Sequence, residues 1–249
     1  MAHLIFDIGN TRSKMAIMEH GNMLEQMVME DAPKVIANLC RRYNVDKAIA
    51  SVVGHQPDFA KLLPEYLYAC FHQLSYNSIL PITMDYDTPQ TLGMDRVASA
   101  VGARILCPEG ALVIVDAGSC ITVDLLDDNN CFRGGAILPG IQMRFRAMHD
   151  FTDALPQVAL SPDERKGLVD TPITGNSTRT SLIAGVCNAS LFEIEGFMHE
   201  YSKRYPNVKL FLTGGDAVFF ANRLFFPNFA NSDLMYIGLD KILELNVIV

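Results

Sequence analysis

The sequence lacks any cluster of basic residues larger than a pair such as Arg41-Arg42. Its formal net charge is −8 at pH 7, because 28 acidic side chains outnumber 20 basic ones. Nucleic acids and anionic membrane surfaces are bound through dense positive charge. We therefore expect no nucleic acid and no membrane among the partners, and a small molecule as the substrate.

Cysteine pairs and long apolar runs are missing as well. The six cysteines show no CxxC pair or His-flanked spacing, and the six histidines are isolated from one another, so no zinc site is expected. No apolar run approaches the roughly 20 residues that span a bilayer, and the start of the chain does not resemble a signal peptide. These absences predict a cytoplasmic protein with reduced thiols.

The sequence does have enough apolar residues for a sizeable core. With 249 residues and 49% apolar content, the chain can form one globular domain or two half-size domains. Two apolar runs, Leu4-Ile5-Phe6 and Leu112 to Val115, each lead into an Asp-x-Gly turn. An aspartate at a strand end can hold a hydrated cation, and a glycine beside it lets the backbone approach a phosphate. The repetition suggests a duplicated core that handles phosphate.

The periodicity around the two turns predicts the same order of elements twice: strand, turn, strand, hairpin, strand and helix. In the first half the predicted strands are His3–Phe6, Ser13–Glu19, Leu24–Met29, Lys47–Val53 and Ser78–Ile82, and the predicted helices are Pro33–Tyr43, Phe59–Tyr68 and Leu92–Ala103. In the second half the predicted strands are Leu112–Val115, Cys120–Leu126, Cys131–Ile137 and Val208–Leu212, with helices from Ile141 and over Leu182–Ile194.

Five motifs, taken together, give the sequence a specific resemblance. They are Asp7-Ile8-Gly9-Asn10-Thr11, Tyr86-x-x-Pro89-x-x-Leu92-Gly93-x-Asp95-Arg96, Asp116-Ala117-Gly118-Ser119, Gly134-Gly135-x-Ile137-x-Pro139-Gly140, and Thr213-Gly214-Gly215-Asp216. In order and spacing the chain resembles the type III pantothenate kinases of the acetate and sugar kinase, Hsc70 and actin superfamily. The resemblance implies an α/β protein with a duplicated actin-like (ribonuclease H-like) two-lobed fold. It also implies an N-terminal lobe over residues 1–110 and a C-terminal lobe over 111–249.

The resemblance implies phosphorylation of pantothenate by ATP to 4′-phosphopantothenate, the first step of coenzyme A biosynthesis. The implied ATP-binding residues are Asp7, Ile8, Gly9, Asn10, Thr11, Arg12, Ser13, Lys14, Ser119, Gly214 and Gly215. Asp7 would contact Mg²⁺ through water, and Asp116 would help to bind a monovalent cation, K⁺ or NH₄⁺. An outward-pointing Lys14 and an ordinary Asp-x-Gly-Asn turn are the structural alternatives.

For pantothenate, the resemblance implies a site made of Tyr86, Gly93, Met94, Asp95, Arg96 and Thr178. Asp95 would be the general base and Arg96 would hold an anionic group, while Thr178 would reach the substrate across a homodimer interface. The alternatives are that Asp95 caps a helix, that Arg96 forms a surface ion pair, and that the segment around Thr178 is an N-terminal cap.

Two other functions stay open at the level of the sequence. The same fold could phosphorylate a sugar or a small carboxylate, or it could be a nucleotide-responsive regulatory protein without turnover. The Tyr86 to Arg96 motif argues against the former and the presence of Asp95 against the latter. Ser119-Cys120 departs from the usual motif residues, but a serine hydroxyl can still contact phosphate. Cys120 has no histidine near it in sequence, and we do not expect it to be a nucleophile.

Overall fold

The computed structural model describes residues 1–29, 33–160, 164 and 170–247. The chain forms two compact units. The first contains residues 1–109, 130–132 and 233–249, and the second contains residues 110–129 and 133–232. The division into lobes at residues 110 and 111 stays a prediction about domains, whereas the structure assigns the segment from Asp233 onward to the first unit.

The described helices, numbered in chain order, are α1 Pro33–Tyr43, α2 Phe59–Leu62, α3 Met94–Leu106, α4 Ile141–Asp150, α5 Thr178–Arg204, α6 Ala217–Ala221 and α7 Leu234–Asn246. Short 3₁₀ turns cover Glu65–Cys70 and Pro89–Thr91.

A five-stranded sheet organises the first unit. Its strands are β1 Ala2–Ile8, β2 Ser13–Glu19, β3 Asn22–Val28, β4 Val45–Val52 and β5 Phe71–Gln73. The order across the sheet is β3-β2-β1-β4-β5. The first three strands form an antiparallel meander, while β4 runs parallel to β1 and β5 runs parallel to β4. His20 and Gly21, with φ of 51° and 77°, make the tight turn between β2 and β3.

One face of this sheet is covered by α1. Alternate residues of β1, namely Leu4, Phe6 and Ile8, are buried in the same cluster as Ile36 and Leu39 of α1. Alternation along a strand sends every second side chain to the same face, and helical spacing puts the α1 residues on one stripe. The remaining residues of β1, including Asp7, therefore face the opposite side.

Helices α3 and α7 cross closely within the first unit. Gly102 and Gly238 meet at the crossing: a Cβ on Gly238 would overlap the carbonyl oxygen of Ala98 and lie 2.9 Å from the Gly102 nitrogen. Helix α7 is also tied to the sheet, because His3 Nδ1 and Asp240 Oδ1 are 2.6 Å apart and the Gly21 N–H donates to Asp240 Oδ2 at 3.2 Å. These contacts explain why the C-terminal helix belongs to the first unit.

The second unit repeats the same sheet. Its strands are β7 Leu112–Ala117, β8 Cys120–Leu126, β9 Cys131–Pro139, β10 Lys209–Thr213 and β11 Asn228–Ala230. Read from β9, the order is β9-β8-β7-β10-β11, which matches β3-β2-β1-β4-β5 strand for strand. The remaining strand, β6 Thr83–Met84, pairs in parallel with Cys131 and Phe132, all within the first unit. The predicted duplicated α/β fold is confirmed.

The core of the second unit lies between its sheet and helices α4 and α5. Val113, Val123 and Leu212 of the sheet are buried with Phe145 of α4 and Ile194 of α5. Helix α5 begins with a capping box, in which the Ser177 side chain accepts from the Thr180 N–H and the Thr180 side chain accepts from the Ser177 N–H. The predicted helix over Leu182–Ile194 is therefore longer at both ends.

Two predicted elements of the first half were wrong. The predicted strand Ser78–Ile82 is not a strand, because the Ser78 hydroxyl completes a local turn by accepting from the Ser75 N–H at 3.0 Å. The predicted helix Phe59–Tyr68 breaks at Leu63, which is extended with φ −84° and ψ 146°. Pro64 follows it, and a residue before proline is disfavoured in the helical region.

Across the described residues, none of the helices has both the length and the apolar content that crossing a membrane would require.

Candidate active site

The first acidic-glycine turn joins β1 to β2. Asp7 lies next to the end of β1 and pairs with Lys14 of β2, and the Gly9 N–H donates to the Arg12 carbonyl at 3.3 Å. Asn10, Thr11 and Arg12 at the tip are exposed, while Ser13 and Lys14 are half-buried. The predicted phosphate-binding residues from Asp7 to Lys14 thus form one tight hairpin with a solvent-facing tip.

The second predicted motif forms the start of α3. Gly93 is the N-cap, Met94 begins the helix, and the Asp95 carboxylate accepts a hydrogen bond from the Arg96 N–H at 2.9 Å. Arg96 is buried, with its guanidinium 6.0 Å from the centroid of the Phe132 ring, so it is not a surface residue. Tyr86 is half-buried in the segment before the 3₁₀ turn Pro89–Thr91.

Asp95 lies close enough to Asp7 in the first unit to act on it electrostatically. Burial, and then the charge of Asp95, raise the pKa of Asp7 to about 6, although Lys14 acts in the opposite direction. Burial also raises the pKa of Asp95, against the lowering effect of the Arg96 N–H and guanidinium. Two half-buried carboxylates whose raised pKa values disfavour ionisation suit a site whose ligand brings positive charge.

The described residues contain no group of three or more His, Cys, Asp or Glu side chains able to hold a metal ion. Magnesium does not need such a group, since it keeps several waters and uses one or two carboxylates together with substrate phosphates. The half-buried Asp7, beside the solvent-facing hairpin tip, therefore fits a magnesium ion carried by a nucleotide.

The raised pKa of Asp7 predicts a pH-dependent effect of Asp7→Asn on stability. The folded protein holds the Asp7 proton more tightly than the unfolded chain does. Protonation of Asp7 therefore favours the folded state. This contribution to the free energy of unfolding is complete below pH 3.8, the ordinary pKa, and is lost as the pH rises through about 6. We expect Asp7→Asn to raise the melting temperature of the ligand-free protein at neutral pH, with little effect near pH 4, as thermal unfolding over that range would measure.

A matched control is Asp58→Asn, because Lys61 lowers the pKa of the exposed Asp58. The control variant should gain no stability as the pH rises. A melting-temperature difference for Asp7→Asn that is the same at every pH would contradict the assignment of the raised pKa to Asp7.

Two further polar side chains near Asp7 were missed by the sequence analysis. Tyr236 of α7 is buried, and its pKa is raised by burial and then by the Asp7 charge. Ser51 of β4 pairs with Asp7 across the parallel β1–β4 ladder. No motif marks either residue, and only the pairing of β1 with β4 and the position of α7 bring them to the site.

In the second unit the structure brings Asp116 and Gly214 together. Thr213 pairs with Asp116 across β10 and β7, and the Asp216 N–H donates to the Ala117 carbonyl at 2.9 Å. Gly214 has a φ of 89°, and a Cβ there would overlap Asp116 Oδ1. Glycine is required because an L side chain would face both an unfavourable φ and this overlap.

Ser119 lies on the same loop and is exposed, with its carbonyl accepting from the Gly140 N–H at 3.2 Å. Gly215, next to Gly214, is exposed as well. The predicted second phosphate turn and the predicted adenosine loop therefore form a continuous surface of the second unit.

Thr178 lies elsewhere in the second unit, at the first residue of α5. It lines a groove of about 750 Å³ between α4 and α5, and the lining includes neither Asp116 nor Gly214. The walls are largely apolar, with Leu182 and Val186 from α5 and Met148 from α4. Arg144 at the groove is held by Glu193, with Nη1 to Oε1 at 2.9 Å, and its Nε donates to the Pro139 carbonyl at 2.7 Å.

The two repeated sheets each carry an acidic-glycine turn after the first strand, and this arrangement defines a duplicated actin-like α/β protein. Solved structures agree on the fold. A protein described as a Baf family transcriptional activator from Campylobacter jejuni has a TM-score of 0.57 at 24% identity, with 97% of each chain covered. A glucokinase from an Antarctic psychrotroph has a TM-score of 0.50 at 11% identity, with 98% of each chain covered.

Sequence comparison defines the family. The family described as type III pantothenate kinase matches residues 3–200. The type III pantothenate kinase of Phocaeicola vulgatus is 38% identical over 245 residues, covering 98% of both chains. That of Cytophaga hutchinsonii is 37% identical over 245 residues, covering 98% of this chain and 100% of the relative. The chain belongs to the type III pantothenate kinases.

Proposed function

We propose that Asp95 is the general base for the transfer of the γ-phosphoryl group of ATP to the hydroxyl of pantothenate. The protein is a kinase that forms 4′-phosphopantothenate in the first step of coenzyme A biosynthesis, as its family membership establishes. The observation that supports the role of Asp95 is its position on the first turn of α3, half-buried and within electrostatic reach of Asp7. Phosphoryl transfer needs a positioned carboxylate to accept the hydroxyl proton.

The raised pKa of Asp95 makes its carboxylate a stronger base than an exposed aspartate. The Arg96 N–H orients this carboxylate by donating to it at 2.9 Å. Arg96 is buried with its guanidinium beside the Phe132 ring, and we propose that it holds an anionic group of pantothenate or the transferred phosphoryl group. Gly93, Met94 and Tyr86 form the remaining part of the proposed substrate site.

For ATP, we propose that the hairpin from Asp7 to Lys14 surrounds the β- and γ-phosphates and that Asp7 contacts magnesium through water. Magnesium, when bound, neutralises phosphate charge. The burial of Asp7 supports this role, since its ionised form needs a neighbouring positive charge. Within the second unit, Ser119, Gly214 and Gly215 are the residues we propose for nucleotide binding.

We also propose that Asp116 helps to bind a monovalent cation, K⁺ or NH₄⁺. Its position at the end of β7, against the Gly214 turn, supports this role because both belong to the proposed nucleotide-binding surface. The acidic chain offers few lysines to offset phosphate charge, and a bound cation would do so.

A homodimer is the proposed active form, with Thr178 of one protomer contacting the pantothenate bound by its partner. The exposed position of Thr178, beside an apolar groove on the α4–α5 face, supports this arrangement. A face of this kind suits a subunit interface. A cytoplasmic location is part of the same proposal.

The experiment that tests the proposal is a coupled ADP-release assay with magnesium and ATP. Pantothenate is compared with a hexose and with a small carboxylate as acceptor, and each is run in potassium and in sodium. We expect turnover with pantothenate alone among these acceptors and a strong decrease in sodium. Equal turnover in potassium and in sodium would contradict the proposed cation-binding role of Asp116. Turnover with the hexose or the small carboxylate would contradict pantothenate as the specific acceptor.

A further inference from the structure

Ser51 is a buried hydroxyl that the kinase chemistry described above does not use. Its side chain lies near the end of β4, and the residue is 1% exposed. Within the described part of the chain, its Oγ has no hydrogen-bond partner. A buried polar group without a partner costs free energy. Packing alone therefore does not explain a hydroxyl at this position.

The register of the sheet places Ser51 beside Asp7. The two residues pair across the parallel strands β4 and β1, and paired residues of neighbouring strands lie about 5 Å apart with their side chains on the same face. The alternation of side chains along β1 agrees with this placement. Phe6 and Ile8 pack on the α1 side, so Asp7 between them faces the other side of the sheet.

The end of β4 is fixed against the phosphate hairpin. The N–H groups of Val53 and Gly54 both donate to the Ile8 carbonyl, at 2.9 and 3.1 Å. A Cβ on Gly54 would lie 2.5 Å from the Gly9 carbonyl oxygen, so the two segments are in direct contact. These contacts fix the position of Ser51 along β4, next to the proposed ATP-phosphate loop.

We propose that Ser51 is a positioning residue for Asp7. Its hydroxyl joins the hydrogen-bonded group formed by the Asp7 carboxylate and the water through which Asp7 contacts magnesium, and it fixes the orientation of that carboxylate. A hydroxyl suits this place because it can donate to a carboxylate and accept from a water at the same time. The inference rests on the magnesium role proposed for Asp7.

The test is calorimetric binding of a non-hydrolysable ATP analogue to the full-length protein, with magnesium or with a chelator. We expect Ser51→Ala to weaken binding about tenfold in magnesium, in the range for loss of one hydrogen bond to a charged group. Without magnesium the same variant should bind the analogue as the wild type does. Equal weakening in both conditions, or none in either, would overturn the proposal.

Ser99→Ala is the matched control. Ser99 is also 1% exposed and its Oγ also has no hydrogen-bond partner among the described residues, but it lies one turn beyond Asp95 on α3. This variant should bind the analogue normally in both conditions. If it reproduces the Ser51→Ala pattern, the effect belongs to buried serines in general and the proposal fails.

Two additional variants complete the experiment. Ser51→Cys keeps the side-chain shape, with a larger Sγ that is only a weak donor, so it should show the same magnesium-limited loss even if Ser51→Ala folds poorly. Asp7→Asn distinguishes a failure of the role proposed for Asp7 from a failure of the role proposed for Ser51. If Asp7→Asn keeps magnesium-dependent binding, the proposed role of Asp7 is wrong; if it loses that binding while both Ser51 variants keep it, only the role of Ser51 is wrong.

Discussion

Replacing Asp95 with asparagine is expected to lower kcat for pantothenate phosphorylation by about 10²–10⁴-fold, the usual contribution of a general base. Asparagine keeps the size of the side chain and can accept the hydrogen bond that the Arg96 N–H now donates at 2.9 Å. It cannot take the proton of the pantothenate hydroxyl. The coupled ADP-release assay at saturating ATP and pantothenate measures the effect, and a kcat within about threefold of the wild type would rule out Asp95 as the base.

Mixed dimers provide the control for this variant. In a two-fold dimer whose pocket is shared, a site takes Asp95 from one protomer and Thr178 from the other. Asp95→Asn and Thr178→Phe chains are therefore each expected to be inactive alone, while their mixture should regain about a quarter of wild-type activity. Recovery would show that both variants fold and that the pocket is shared. Absence of recovery in a verified mixed dimer would contradict the shared pocket.

Replacing Gly238 with alanine is expected to destabilise the protein by about 3 kcal/mol or more, at the upper end of the usual cost of overpacking. The added Cβ would overlap the Ala98 carbonyl oxygen and lie 2.8 Å from the Ala98 carbonyl carbon. Both obstructing atoms are backbone atoms of α3, so a change of side-chain rotamer cannot relieve the clash. Helix α7 would have to move away from α3, whose first turn carries Asp95. Denaturant unfolding, together with pantothenate kinase activity, would measure both consequences.

Gly196→Ala is the matched control for the same chemical change. Gly196 is an exposed residue of α5, and a Cβ there would have no atom within 4 Å. Alanine in such a position should stabilise the helix by roughly 0.5–1 kcal/mol. Destabilisation of similar size in both variants would show that helix propensity or the unfolded chain, and not the crossing of α3 and α7, decides the effect.

Much of the fold could be predicted from the sequence because its signals are local. Continuous apolar runs before the Asp-x-Gly turns predicted β1 and β7, and the periodicity that follows predicted β2 and β8. The strand predicted over Ser78–Ile82 was wrong because hydrogen bonding by the Ser78 hydroxyl, which periodicity does not reveal, decides the local structure.

The sequence by itself determined the duplicated fold, the family and the motif residues, because these depend on residue types at fixed short spacings. Only the tertiary structure decided which residues surround them. Asp7 and Asp95 are far apart in the chain, and the effect of the Asp95 charge on Asp7 arises from the packing of the first unit. Ser51 reaches Asp7 through strand register, and Gly238 meets Gly102 through the crossing of two helices. Contacts of this kind depend on how distant segments pack, so they leave no local pattern from which they could be predicted.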